Sequence, residues 1–451
     1  MNRNEKPAGS ELTAAIIEEA KRRKAEHAEA FFDREEELSV EVRGGEVENL
    51  KVARDAGLGI RVIQGNRMGY AYTTGLTRGD LTDALDAALA NAQAAGEDHY
   101  YNLPQPAVSY PQMDLDDPHL DEVSLEEKIE LARRLERSGR SFDPLVRLTE
   151  QVSYEEVRYE IAIANTEGVA LTSRGSYCGG AAAFVAERDG DQQTGFSVDY
   201  VCRLKDLDVE TLGKEAAHKA VRMLGARRLN TRRAPVVIDP YVVASFLGML
   251  AAAFSAEAVQ KGRSLFAGKT GERVASNMVN IADHGARPGG VLSAPFDGEG
   301  VPTQRTSLVE GGILQGFLHN SYTAAKDGVS STGNAVRGSF QSPPQLGSTN
   351  FYLAPGNGDP QEIVRETGDG LYLTEVMGMH TANPISGDFS LGAAGIWIEN
   401  GELTTPVRGM VIAGNILELL ERVDAVGSDL RFFGGKGAPT IRVANLTISG
   451  Q

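Results

Sequence analysis

Apolar residues change period twice within the first hundred positions, from helical to alternating and back. This restricts the fold more than any other feature of the chain. Leu12, Ile16, Ile17 and Ala20 share one face of a helix predicted over residues 11–31. Four β-like segments follow, at 38–43, 47–53, 57–63 and 68–73. Gly44-Gly45 and Gly65-Asn66 stand where hairpin turns are needed, so the segments read as an antiparallel meander. A second helix is predicted over 77–95, where Leu81, Leu85 and Leu89 recur every four residues.

The alternation of elements continues. Residues 100–120 are rich in proline, tyrosine and aspartate and read as an arm. Ser124, with Glu127 three positions on, marks a capping box opening a helix over 124–139. Strand-like segments at 148–154, 158–165, 169–186 and 194–203 precede a helix at 209–223. After Pro235 charge thins and Gly, Ser, Thr and Asn rise, in short strands separated by turns. Asn400-Gly401 there is a strong hairpin signal. The fold class expected is α+β. Residues 1–230 form a two-layer domain with helices on an antiparallel sheet, and residues 231–451 a domain rich in antiparallel strands.

Net charge is −17, a field that repels nucleic-acid phosphates and anionic membranes, and Arg227-Arg228 with Arg232-Arg233 is too short a patch to reverse it. No apolar run reaches the roughly 20 residues needed to cross a bilayer, and the polar N-terminus has no apolar signal core. Cys178 and Cys202 make neither a disulfide framework nor a zinc site, which fits a reducing cytoplasm. The expectation is a cytoplasmic protein without direct nucleic-acid or membrane contact.

Residues 239–262 read as one helix, with Asp239 as N-cap, Pro240 at the first position and Gly262 as stop. Val243, Phe246, Leu250, Ala253 and Phe254 form its apolar stripe, and Glu257 continues the stripe. A carboxylate on a buried helix side suits the base beside a metal, yet no histidine occurs from Lys219 to Asp283. Lys261, four residues after Glu257, is placed to pair with it and to hold it ionised.

Three polar, glycine-rich clusters point to a binding surface, because glycines let backbone amides and side chains approach a ligand together. The first contains Asp297, Glu299 and Arg305. The second contains His319 and Asn320 and runs on to Asn334. The third contains His380, Asn383, Ser386, Asp388 and Ser390. The seven histidines have no metal-ligand spacing, and His27, His99, His119 and His218 read as unpartnered surface residues. No nucleophile-elbow pentapeptide lies near the clusters, and no phosphate loop is present. Asp189-Gly190-Asp191 reads as a hairpin turn, not a calcium loop, since Tyr200 stands where the closing acid would be.

These segments resemble the TldD/PmbA family, historically the modulators of DNA gyrase, and within it the PmbA/TldE branch. The matching strings are DGEGVPTQRT from Asp297, STGNA from Ser331 and NPISGDFSLGAAGIWIENGE from Asn383, with PVRGMVIAGN from Pro406 and VGSDL from Val426. The resemblance implies a zinc peptidase in the TldD-type subunit, with an H-E-x-x-x-H helix and a C-terminal cysteine as ligands. In this sequence the first histidine position falls on Ala256 and the second on Lys261, around Glu257, and the cysteine position on Gly434 or Gly435. It therefore implies no catalytic residue and no metal in this chain. Zinc is expected in a TldD-type partner, in a heterodimer (or homodimer alone) acting on unfolded or leader peptides. Two other readings fit the residues: a self-sufficient hydrolase around His319, His380, Ser386 and Asp388, and a regulatory binding protein of the gyrase-modulator kind.

Overall fold

The structure, a computed structural model, describes residues 9–450, and the polar stretch before residue 9 lies outside them. The architecture is α+β. An N-terminal antiparallel sheet runs β3-β2-β1-β4-β5-β6. Its strands are β1 (His27–Arg43), β2 (Glu46–Gln64), β3 (Arg67–Thr73), β4 (Val146–Asn165), β5 (Ala170–Arg188) and β6 (Asp191–Val201). Helices Gly9–Arg22 and Arg78–Ala94 cover one half of one face, and Leu125–Arg140 and Val209–Val221 the other half. The predicted Ser124 capping box forms, and the structure adds one at Thr77 that was not predicted. Thr77 and Asp80 make a reciprocal capping box, as do Ser124 and Glu127.

Three predicted elements of the N-terminal half differ. The first helix ends at Arg22, with Lys24 in the left-handed region (φ 58°), and residues from His27 are strand rather than helix. The cause is tertiary: this stretch of β1 pairs with β2 on one side and β4 on the other, and that double ladder outweighs local helical preference. The segments at 47–53 and 57–63 are one 19-residue strand, and those at 148–154 and 158–165 one 20-residue strand. Asp55, Glu155 and Glu156, between those segments, keep their backbones in the ladder. His27 and His119 are partnered, their Nδ1 atoms lying 2.8 Å from Glu167 and 3.0 Å from Glu122.

Beyond residue 231 two further six-stranded sheets form. One runs in space Glu402–Asn415, Asp388–Glu399, Gly370–Met377, Arg232–Ile238, Ile441–Ser449, Val423–Val426. The other runs Ile313–Leu314, Arg305–Glu310, Ile281–His284, Phe351–Leu353, Lys436–Ala438, Arg431–Phe433. Asn400 and Gly401 take φ of 52° and 80°, the paired left-handed turn that the sequence signals. Helix Pro240–Ala251 touches both sheets and buries Val243, Phe246, Leu247 and Leu250 in the largest core.

The predicted long helix is broken. Pro240–Ala251 is followed by a 3-10 turn at Ala252–Phe254 and a separate short helix, Ala256–Gln260. The intruder is Leu318. Its N–H donates to Phe254 O (2.9 Å) and its carbonyl accepts from Ala256 N–H (3.0 Å), taking groups a continuous helix would use itself. Ser255, extended at φ −76° and ψ 124°, then caps the new helix by accepting from Ala258 N–H.

Both edge strands of the N-terminal sheet carry a glycine beneath a helix. A Cβ on Gly69 would lie 2.0 Å from Ala88 O, and one on Gly195 would lie 2.2 Å from Ala216 O and Ala220 N. The obstacle is helix backbone, which cannot rotate away. Gly195→Ala is expected to destabilise the chain by about 1–3 kcal/mol through overpacking. Urea unfolding monitored by circular dichroism measures this, and an unchanged midpoint would show that the helix shifts freely.

Candidate functional site

Two of the three polar clusters converge on one buried knot at the junction with the N-terminal sheet. Glu29 on β1 and Arg61 on β2 are register partners and so share a face. Arg61 Nη2 donates to Glu29 (2.7 Å) and Nη1 to Glu299 (2.9 Å). Arg337 donates to the other Glu29 oxygen, and its Nε donates to Gly298 O at 2.7 Å. The second Glu299 oxygen accepts from Ser321 N–H at 2.9 Å. Glu29 and Glu299 are each 1% exposed. Charges this deep are tolerable because each has an opposite charge and further hydrogen bonds.

Asp297 organises the loop beside this cluster. One oxygen accepts from Glu299 and Val301 N–H (2.9 Å each) and the other from Ala335 N–H at 3.0 Å. Burial, with the Glu299 carboxylate second, pushes its pKa up to about 7, against those three donors. Asn320 caps helix Ser321–Asp327 through a capping box with Thr323. Asn334 donates to buried Asp283 (2.7 Å) and accepts from Thr332 Oγ1 (2.7 Å). His319 N–H donates to Thr332 Oγ1, while its buried Nδ1 has no hydrogen-bond partner. Burial lowers the His319 pKa and so favours the neutral ring.

The remaining predicted residues lie elsewhere. Arg305, exposed at the start of its strand, reaches Tyr352 at 3.4 Å. His380, Asn383, Ser386, Asp388 and Ser390 are exposed. Asn383 accepts from the N–H groups of Ile385 and Ser386, and Ser386, Asp388 and Asn415 bond one another, which is turn chemistry. Sequence reading missed Glu29, Arg61 and Arg337. The signal for the first two was a single charge inside an apolar run, Ala28-Glu29-Ala30 and Ile60-Arg61-Val62.

The positions that correspond, by resemblance, to zinc ligands do not supply a zinc donor set. Ala256 presents a fully buried methyl group, Lys261 an ammonium, and Gly434 and Gly435 no side chain. Among the described residues, no group of three or more His, Cys, Asp or Glu could hold a metal ion. Glu257 is not on the buried side as its place in the stripe suggested. Its side chain is 44% exposed and that of its ion-pair partner Lys261 57%. Breaking the helix at Ser255 shifted the phase and turned Ala256 inward instead.

Two predictions test the knot. Glu299→Ala leaves Arg61 short of a counter-charge and is expected to cost about 3–5 kcal/mol, while Arg61→Met with Glu299→Leu recovers much of that loss. Equal stability of single and double variants in chemical denaturation would disprove the coupling. For Asp297 the folded pKa lies above the unfolded one. Its contribution is therefore fully present below pH 3.8 and is lost as pH rises towards about 7. Asp297→Asn should flatten the fall in unfolding free energy across that window, and an unchanged slope would show that Asp297 stays ionised throughout.

Comparison with known proteins identifies the family. Three family models match consecutive segments: PmbA/TldA metallopeptidase domain 1 at 28–92, the central domain at 118–224 and the C-terminal domain at 231–450. The chain is 30% identical to Metalloprotease PmbA of Escherichia coli O157:H7, over 95% of this chain and 93% of that protein. A Thermotoga maritima protein described as a modulator of a DNA gyrase superposes with a TM-score of 0.91 at 30% identity, covering 97% of this chain and 99% of that one. TldE from Thermococcus kodakarensis, at 24% identity and a TM-score of 0.91 over 97% of this chain and all of that one, shares the fold. With matches of this extent, the chain belongs to the PmbA/TldD metallopeptidase family.

Proposed function

We propose that this chain is the PmbA/TldE-type subunit of a TldD–TldE-like metallopeptidase that acts on unfolded or leader peptides, and that it carries no zinc itself. The observation that carries the reading is the chemistry at the ligand positions. A methyl group, an ammonium already paired with Glu257 and two glycines offer zinc neither nitrogen nor thiolate. The chain keeps the family's architecture around that segment, which suits a subunit that supports chemistry performed by a TldD-type partner. An open groove of ≈ 450 Å³ lies between the arm residues Asn102, Pro104 and Gln105 and the segment of Val301, Pro302 and Ser331. Its open, partly polar lining suits contact with a peptide or with the partner. The cytoplasmic placement rests on the two unpaired cysteines, Cys178 and Cys202.

The test is metal analysis and a peptidase assay on an unfolded peptide, with the purified chain alone and mixed with a TldD-type subunit. Cleavage is expected only in the mixture, with zinc tracking the partner. Stoichiometric zinc and cleavage by the chain alone would overturn the proposal. Chelator should abolish the mixture's activity without altering the thermal unfolding of this chain.

A further inference from the structure

Next to the two glycines at the vacant cysteine position, Lys436 reaches across to another loop. Its Nζ lies 3.0 Å from Ser348 Oγ, within the range of a nucleophile and its base. Both side chains are half-buried, so neither is sealed from solvent. Their backbones are held from several directions. Lys436 is the register partner of Phe351, whose N–H donates to Gly435 O at 2.9 Å. On either side of Ser348, the Gly347 carbonyl accepts from Asn334 (3.2 Å), and Thr349 donates to Asp283 through both N–H and hydroxyl (2.7 Å each). Asn334 also donates to Asp283, so one buried carboxylate braces the loop that carries the serine.

We propose that Ser348 and Lys436 form a nucleophile–base pair that accepts an acyl group from an ester onto the serine oxygen. This goes beyond the subunit reading, since it requires neither zinc nor a partner chain. In the first step Ser348 Oγ bonds to the carbonyl carbon, and its proton passes to the neutral Lys436 amine. The carbon–oxygen bond to the leaving group then breaks, and the leaving group takes that proton from Lys436. Water completes the cycle. It gives a proton to Lys436 and its hydroxyl to the acyl carbon, and Ser348 departs with the proton returned by Lys436. Burial lowers the Lys436 pKa, which favours the neutral amine, while Asp283 opposes the shift. Asp283 has its oxygens bonded to Asn334 and Thr349. Leu292, 49% exposed and packed beside Gly435, offers an apolar contact for the acyl chain.

The experiment treats the full chain, in the presence of chelator, with a fluorophosphonate probe, in which a serine oxygen displaces fluoride from phosphorus. Labelling at Ser348, located by mass spectrometry of the digested protein, is expected, and Ser348→Ala should abolish it. Lys436→Arg keeps a cationic donor but cannot serve as base, so it should slow labelling by roughly 100-fold. The wild-type rate should rise with pH through a midpoint below the ordinary lysine value of 10.5. No labelling of the folded wild-type chain would overturn the proposal, as would labelling that persists in Ser348→Ala. An equal rate in Lys436→Arg would reduce the pair to a structural hydrogen bond. Chelator keeps zinc out of every arm, so failure here leaves the subunit reading untouched.

Discussion

The interaction on which the rest of the structure depends is the buried ionic cluster of Glu29, Arg61, Glu299 and Arg337. Two of its members come from adjacent strands of the N-terminal sheet and two from loops beyond residue 295. Glu29 and Arg61 pair within the N-terminal half, and docking gives each a second opposite charge, Arg337 and Glu299, so the burial that docking imposes is compensated. Apolar contacts frame it. Phe31, Ile163, Phe296 and Phe340 form one buried group, and the Arg337 guanidinium lies 4.4 Å from the Phe31 ring centroid. The aromatic frame supplies the favourable burial, and the charge pairing selects one relative placement of the two halves.

From this cluster two sets of hydrogen bonds, joined by the backbone of residues 318–321, reach the segment that by resemblance corresponds to a metal-binding helix. Glu299 accepts from Ser321, whose predecessor Asn320 caps the helix that follows. Two residues earlier, Leu318 bonds both Phe254 and Ala256 and breaks the long helix at Ser255. The orientation of Ala256 and Glu257 is thus imposed from outside their own helix. Phe254 is held as firmly, stacked against Phe266 and Phe351 with centroids 4.5 and 5.7 Å apart.

Local signals in the sequence found what local chemistry decides. The capping box at Ser124, the Asp239 cap, the Asn400-Gly401 turn and the Asn320 cluster depend on neighbours a few residues away, and such patterns are visible in one dimension. Elements decided by distant partners were misread. The strand beginning at His27 exists because β2 and β4 flank it, and the break at Ser255 because Leu318 enters from 63 positions away. The site divides the same way. Asp297, Glu299, His319, Asn320 and Asn334 meet because their clusters belong to one knot. His380 through Ser390 share its composition but form an exposed turn. Composition reveals polar glycine-rich loops, and only the fold separates a buried knot from an exposed turn.

The lysines show why burial, rather than spacing, decides chemical weight. Lys261 stands at the helical spacing that favours pairing with Glu257, and the pair forms, but both side chains are about half exposed. Exposed pairs of this kind contribute roughly 0–1 kcal/mol and are screened by salt, so Lys261 is a weak substitute for a metal's charge. Lys436 has no such pattern in the sequence, yet its position beside Gly434 and Gly435, its bond to Ser348 and its partial desolvation give its protonation state leverage over a neighbouring group. If any chemistry survives at this end of the chain, it follows the desolvated amine and not the helix that once suggested a metal.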